Sequence, residues 1–430
     1  MKYLKSLLTL SFLLPLMSVS AQQADSVEMG AGYGNDVFYS LTNGEVKKVS
    51  NNTWDLAFRT GFRSDAIFIN SISSSVAPRS TKLYLYPKGD KSAWGTFDTS
   101  GMQNWVEYQN TDSSWEFGAF NRAAGAFPDF SWGVYNPVTK IVEGDSLYLL
   151  EITQGTNTFY KKLHIIDKNF GVWHFRYADV DGSNEVNDSI VASNANAKNL
   201  DYYSILTSAK LDREPDSTKY WDLVFKRYHE LLAPNFDTYY PVMGVWANKD
   251  IKVAQVEKQS VTNFDYKTLV DADYKEEANT IGADWKFFDM NVFQWKLRDS
   301  VAYYFKGQKG ATWRLYFTAF GGQANGKVVF NKTQLSPGLS VNPVAPVASF
   351  GIYPNPASST LEVAFENRDN SVKNTLRIYN IAGQVVAEQN LDATPGFHAK
   401  AIDVSSLKNG VYIVSLENGG HILTQKLIKE

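Results

Sequence analysis

Apolar and polar residues alternate along this chain in short runs. Trp54, Leu56 and Phe58 take one parity and Asp55 and Ala57 the other, and Trp221, Leu223 and Phe225 repeat that arrangement. A period of two, carried by aromatic and β-branched residues, predicts half-buried strands. Long helical periodicity is scarce, and residues 265–278 are the one stretch that suits a short helix. From residue 350 to 430 the texture changes to short strands separated by Gly and Asn turns, with Gly383 and Gly410 where turns need unusual φ angles. The expected fold class is mainly β, with two related antiparallel-β domains followed by a small C-terminal β-sandwich.

The two domains are expected because the pattern repeats. Phe38, Tyr39 and Ser40 precede the strand that starts at Trp54; roughly 165 residues later Tyr202, Tyr203 and Ser204 precede the one at Trp221. Asp145-Ser146 and Asp299-Ser300 then each lead into a strand, and a second strand with a basic centre follows in both copies, at residues 158–163 and 312–317. The division reads as residues 22–195 for the first copy, 196–340 for the second, a Pro-containing linker over 341–349 and a terminal module over 350–430.

Residues 1–21 read as a secretory signal peptide: Lys2 and Lys5, an apolar run from Leu7 to Met17, then the small residues Val19 and Ala21. That run is shorter than the roughly 20 residues needed to span a bilayer, and no transmembrane helix is expected elsewhere. The 430 residues include no cysteine, which excludes disulfides, thiolate metal sites and a cysteine-linked lipid anchor. A formal charge of −3 argues against nucleic-acid binding through phosphate neutralisation. Aromatics make up 14% of the chain, which suits β structure and flat-ligand recognition equally.

The terminal module carries the most specific motifs: Tyr353-Pro354-Asn355-Pro356, the stretch from Ile378 through Gly383 to Val386, Leu407-Lys408-Asn409-Gly410-Val411-Tyr412, and Gln425-Lys426-Leu427-Ile428. In order and spacing it resembles the type A sorting domain of the type IX secretion system. That resemblance implies passage through the outer membrane, recognition by the secretion machinery, and a secreted product at the extracellular face or outer-membrane surface of a Gram-negative bacterium.

The tryptophan strands, each preceded by an aromatic strand (in the first copy with a Gly44 turn), resemble the HmuY family of haem-binding proteins. This implies a hand-like β fold around a flat ligand and a role in haem capture. The family's axial ligands are commonly histidines, and one often follows the tryptophan strand. Here Arg59 and Lys226 occupy those places, and Lys226 must lose a proton before it can ligate iron. The histidines are His164, His174, His229, His398 and His421, and the last two belong to the terminal module. Three remain, too few for two bis-histidine sites; methionine or tyrosine can substitute. His229 is the candidate ligand, placed on an aromatic, Pro-containing loop with Tyr239, Tyr240 and Met243. His164 and His174 read as packed strand residues. The alternative reading is a non-enzymatic structural or adhesive surface protein that holds a partner through aromatic patches, without haem. Residues 179–185 have oxygen ligands at alternate positions but lack the full calcium-loop pattern, and read as a polar turn. No nucleophile elbow, zinc helix or phosphate loop is present, so no enzyme is expected.

Overall fold

The computed structural model describes residues 22–430, apart from 62–64, 194–196, 232–237, 308–309, 337–346, 368–373 and 419–420. The signal segment, the proposed division at 195 and most of the linker lie outside the described residues. The last linker positions, 347–349, already belong to the strand Val347–Tyr353. The fold is mainly β, and all its paired strands are antiparallel except for one isolated parallel bridge. Residues 265–278 form two short 3-10 turns, Tyr266–Thr268 and Asp271–Asp273, not one helix, because Leu269 and Val270 between them are extended.

Two bodies carry sheets of the same strand order. In one, a five-stranded sheet runs Gln23–Glu28, Lys327–Ser336, Thr312–Phe320, Val301–Lys306, Lys252–Glu257. In the other, Val186–Val191, Val172–Asp179, Asn157–Asn169, Leu147–Gln154 and Arg79–Leu85 follow the same order. Each body adds a four-stranded sheet. One is Tyr239–Ala247, Leu223–Leu231, Asn35–Ser40, Gly44–Ser50; the other is Ile67–Ile69, Leu56–Arg59, Leu200–Ser204, Ala209–Leu211.

The copies exchange their leading strands. The strand Asn35–Ser40 pairs with the second tryptophan strand, in the register Tyr39↔Leu223 and Phe38↔Val224. Its counterpart Leu200–Ser204 pairs with the first, Tyr203↔Leu56 and Tyr202↔Ala57. Residues 54–211 therefore make one continuous body, and residues 23–50 with 218–336 make one split body. A division at 195 runs through both, because the first three strands of the first copy and the first two of the second complete the other copy's sheets.

The same polar device locks both exchanges. The amide of Asp222 donates to Tyr39 O at 2.8 Å, and the amide of Asp55 donates to Tyr203 O at 2.9 Å. The Asp222 carboxylate accepts from the Leu41 amide at 2.7 Å, and that of Asp55 from the Ile205 amide at 2.7 Å. Tyr39 Oη donates to Asp25 and Tyr203 Oη to Asp188, both at 2.5 Å. Each body has its own apolar core: Tyr39, Phe225, Trp285 and Phe330 lie in the split one, Phe58, Trp132, Trp173 and Tyr203 in the continuous one. A third cluster seals the seam between them, with Phe38, Trp54, Trp115, Tyr202, Trp221 and Trp246. Much of the aromatic content is thus core and seam.

The terminal module is a seven-stranded sandwich. Val347–Tyr353, Thr360–Asn367 and Gly396–Asp403 form one sheet; Val385–Leu391, Asn374–Asn380, Gly410–Asn418 and His421–Lys429 form the other. Gly383 has φ 79° in the turn between Asn380 and Gln384, as its position required.

Candidate functional site

His229 lies inside the strand Leu223–Leu231, not on a loop, because its pairing with Tyr239–Ala247 continues past it: His229↔Pro241, Glu230↔Tyr240, Leu231↔Tyr239. Pro241 is tolerated there because Tyr239–Ala247 is a sheet edge. Alternation places His229, Met243 and Tyr239 on one face and Tyr240 on the other. Met243 is buried in the split body's core beside Val245 and Phe225. Tyr239 Oη accepts from Arg122 at 3.0 Å, and Tyr240 is 56% exposed. The four residues predicted to hold a cofactor do not converge.

Burial and the neighbouring Arg227 push the His229 imidazole down to about 4, so it is neutral at physiological pH. Its Nδ1 has no hydrogen-bond partner among the described residues. The cavity it lines holds about 40 Å³, whereas drug-sized ligands occupy roughly 300 Å³ or more. A porphyrin does not fit there, and the residues present do not suit haem.

His164 is 5% exposed in the strand Asn157–Asn169, where burial pushes its imidazole down to about 4, and His174 in the next strand pairs with Asp167 at 2.6 Å. Residues 179–185 form the polar turn the sequence predicts: Gly182 N donates to Asp179 O at 2.9 Å, and Asp179 pairs with Lys161 at 2.6 Å. No group of three or more metal-ligating side chains occurs among the described residues.

Two features were not anticipated. The first is the hairpin of Lys286–Asp289 and Gln294–Leu297, which joins no larger sheet. It exposes Phe287, Phe288, Met290, Val292, Phe293 and Trp295, with Phe293 72% and Met290 68% exposed. Its base is fixed by Lys286, whose buried ammonium donates to Met243 O at 2.6 Å and is pushed down to about 7 by burial. Trp295 stacks edge-on against Phe288 at 5.5 Å and Phe320 at 5.2 Å, which stiffens the arm. The available signal was a segment apolar at both parities, which one half-buried strand does not need.

The second is a cavity of about 470 Å³ between the continuous body and the terminal module, walled by Phe127, Phe130, Tyr135, Phe170, Phe350 and Tyr353. Lys168 and Asp65 also line it, 3.5 Å apart; burial pushes the lysine down to about 8 and the carboxyl above its ordinary range. Because its wall combines residues distant in the chain, no local motif marks it.

Residues 351–430 match the family described as the secretion system C-terminal sorting domain. No curated protein matches the chain. One solved structure, dimeric latent PorU from Porphyromonas gingivalis, is similar at 11% identity and a TM-score of 0.18. The alignment covers 91% of this chain and 40% of that one, so the chain spans well under half of its length.

Proposed function

We infer that the protein, marked by its sorting domain for type IX secretion, works outside the cell or at the cell surface. We propose that the exported part is a non-enzymatic binding protein that engages an apolar surface of a partner through the hairpin Lys286–Leu297. The observation that carries this reading is the hairpin itself: six large apolar side chains on one arm, held by Lys286 and Trp295 yet turned to solvent. Contiguous apolar patches on soluble proteins mark interaction sites far more often than chance exposure does. The test is adhesion of cells displaying the mature chain to protein- and glycan-coated surfaces. Met290→Ser with Phe293→Ser should abolish adhesion while the circular-dichroism spectrum stays unchanged; undiminished adhesion overturns the proposal.

The second reading, capture of a flat hydrophobic ligand, draws on the aromatic cavity of about 470 Å³, whose size falls in the ligand range. Haem at His229 has no such support. Hemin added to the full chain should give a stoichiometric Soret shift only if that cavity takes it. In that case Tyr353→Ala would weaken the shift and His229→Ala would not.

A further inference from the structure

The seam between the two bodies contains a small cavity of about 40 Å³ with an unusual wall. Trp54, Trp115, Trp246, Lys226, Arg227 and His229 line it, and no Asp or Glu does so among the described residues. On the face that Lys226 shares with Trp246, the indole N–H groups of Trp54 and Trp246 are buried without a partner among the described residues, while Arg227 and His229 belong to the opposite face of their strand. The Lys226 ammonium has no hydrogen bond or ion pair among the described residues; it rests 4.4 Å from the Trp246 ring centre and 5.6 Å from that of Trp115. A buried donor without a partner is costly, so two unused indole N–H groups beside an unpaired ammonium ask for an acceptor.

The internal duplication supplies a control. Arg59 follows Phe58 as Lys226 follows Phe225, so the two cations hold the same place in the two copies. Arg59 is fully partnered: Glu116 accepts from its Nε at 3.0 Å and its Nη2 at 2.5 Å, Thr60 Oγ1 lies 2.9 Å away and Asn199 O 2.7 Å away. At Lys226 no counterpart of Glu116 is present among the described residues. The carboxylates that act on Lys226 from a distance are engaged elsewhere. Asp36 pairs with Arg213 at 2.7 Å, and Glu214 accepts from the Asn199 amide at 2.6 Å.

We propose that this seam cavity binds a small monovalent anion of halide size, which takes the place that Glu116 fills in the other copy. The anion accepts from the indole N–H groups and balances Lys226, tying the Leu223–Leu231 strand of one body to Trp54 of the other. The volume suits it, since one water claims about 30 Å³ of liquid and a halide is of similar size.

The test uses the mature chain in sodium gluconate, an anion too large to enter. Sodium chloride or bromide then replaces gluconate at constant ionic strength, and melting temperature and tryptophan fluorescence are followed. A saturable rise in melting temperature, of about 2 °C or more, with a matching fluorescence change, is expected. Lys226→Met should abolish it, and Lys219→Met, on the exposed surface, should leave it intact. If Lys226→Met does not fold, Trp246→Phe keeps an aromatic side chain and removes one donor, and should weaken halide binding about tenfold. The absence of any saturable halide response in the wild type, or an undiminished response in Trp246→Phe, overturns the proposal and leaves a cavity that holds water.

Discussion

Asp55→Asn tests whether the exchange of strands is held by a buried ionic lock. Asp55 is fully buried, and Arg79 gives it Nε at 2.8 Å and Nη2 at 2.5 Å. Arg79 is 3% exposed and also donates to Ser204 Oγ at 2.9 Å, on the strand contributed by the second copy. Asparagine leaves that guanidinium buried beside a neutral amide. Breaking a buried pair by removing one partner costs about 3–5 kcal/mol. The counterpart, Asp222→Asn, keeps one oxygen for the Leu41 amide and strands no arginine, because Asp222 has no ion pair among the described residues. Its cost should be about 1 kcal/mol, that of a single weakened hydrogen bond. With a urea slope of about 3 kcal/mol/M for a body of this size, the unfolding midpoint should fall by about 1–1.7 M for Asp55→Asn and by about 0.3 M for Asp222→Asn. Tryptophan fluorescence reads both. A midpoint for Asp222→Asn as low as that for Asp55→Asn, or lower, would refute the reasoning, since only one of the two aspartates neutralises a buried cation.

Glu214 is fully buried, and burial pushes its carboxyl up to about 7 from 4.5. A raised folded value means the native state holds the proton more tightly. The contribution is therefore complete below pH 4.5 and is lost as pH rises through about 7. The loss amounts to about 3 kcal/mol, and Glu214→Gln should flatten that segment of the stability profile measured by urea titration across pH. Val27→Asp sets a charge where exposure is 1%, in the split body's core. Hydrogen exchange should then show protection lost in Lys327–Ser336 and retained in Leu56–Arg59, the pattern a chain cut at 195 does not give. Gly144→Ala places a methyl 1.7 Å from Ile165 O, a backbone atom that cannot step aside, and should lower the melting temperature by several degrees.

The candidate site was only partly legible in the sequence. His229 and Pro241 looked like loop residues because a proline and a run of tyrosines follow, yet a proline at a sheet edge interrupts nothing. Met243 looked available to a ligand, but parity in its strand turns it into the core. Lys226 was set aside as a poor iron ligand; its interest lies in the company it keeps, Trp54 and Trp246, which come from different copies. The exposed hairpin was in plain view as Phe287 to Trp295, but exposure is a property of what fails to cover a segment.

Strand parity, the Gly383 turn, the seven-stranded sorting module and the duplicated tryptophan strands all follow from neighbours a few residues apart, so the sequence alone determines them. The choice of partner strand does not. Asn35–Ser40 and Leu200–Ser204 carry nearly the same pattern, and either tryptophan strand offers a similar edge. Only the closed sheets, the Asp55 and Asp222 locks and the aromatic seam decide that each copy completes the other, because those contacts join residues more than a hundred positions apart.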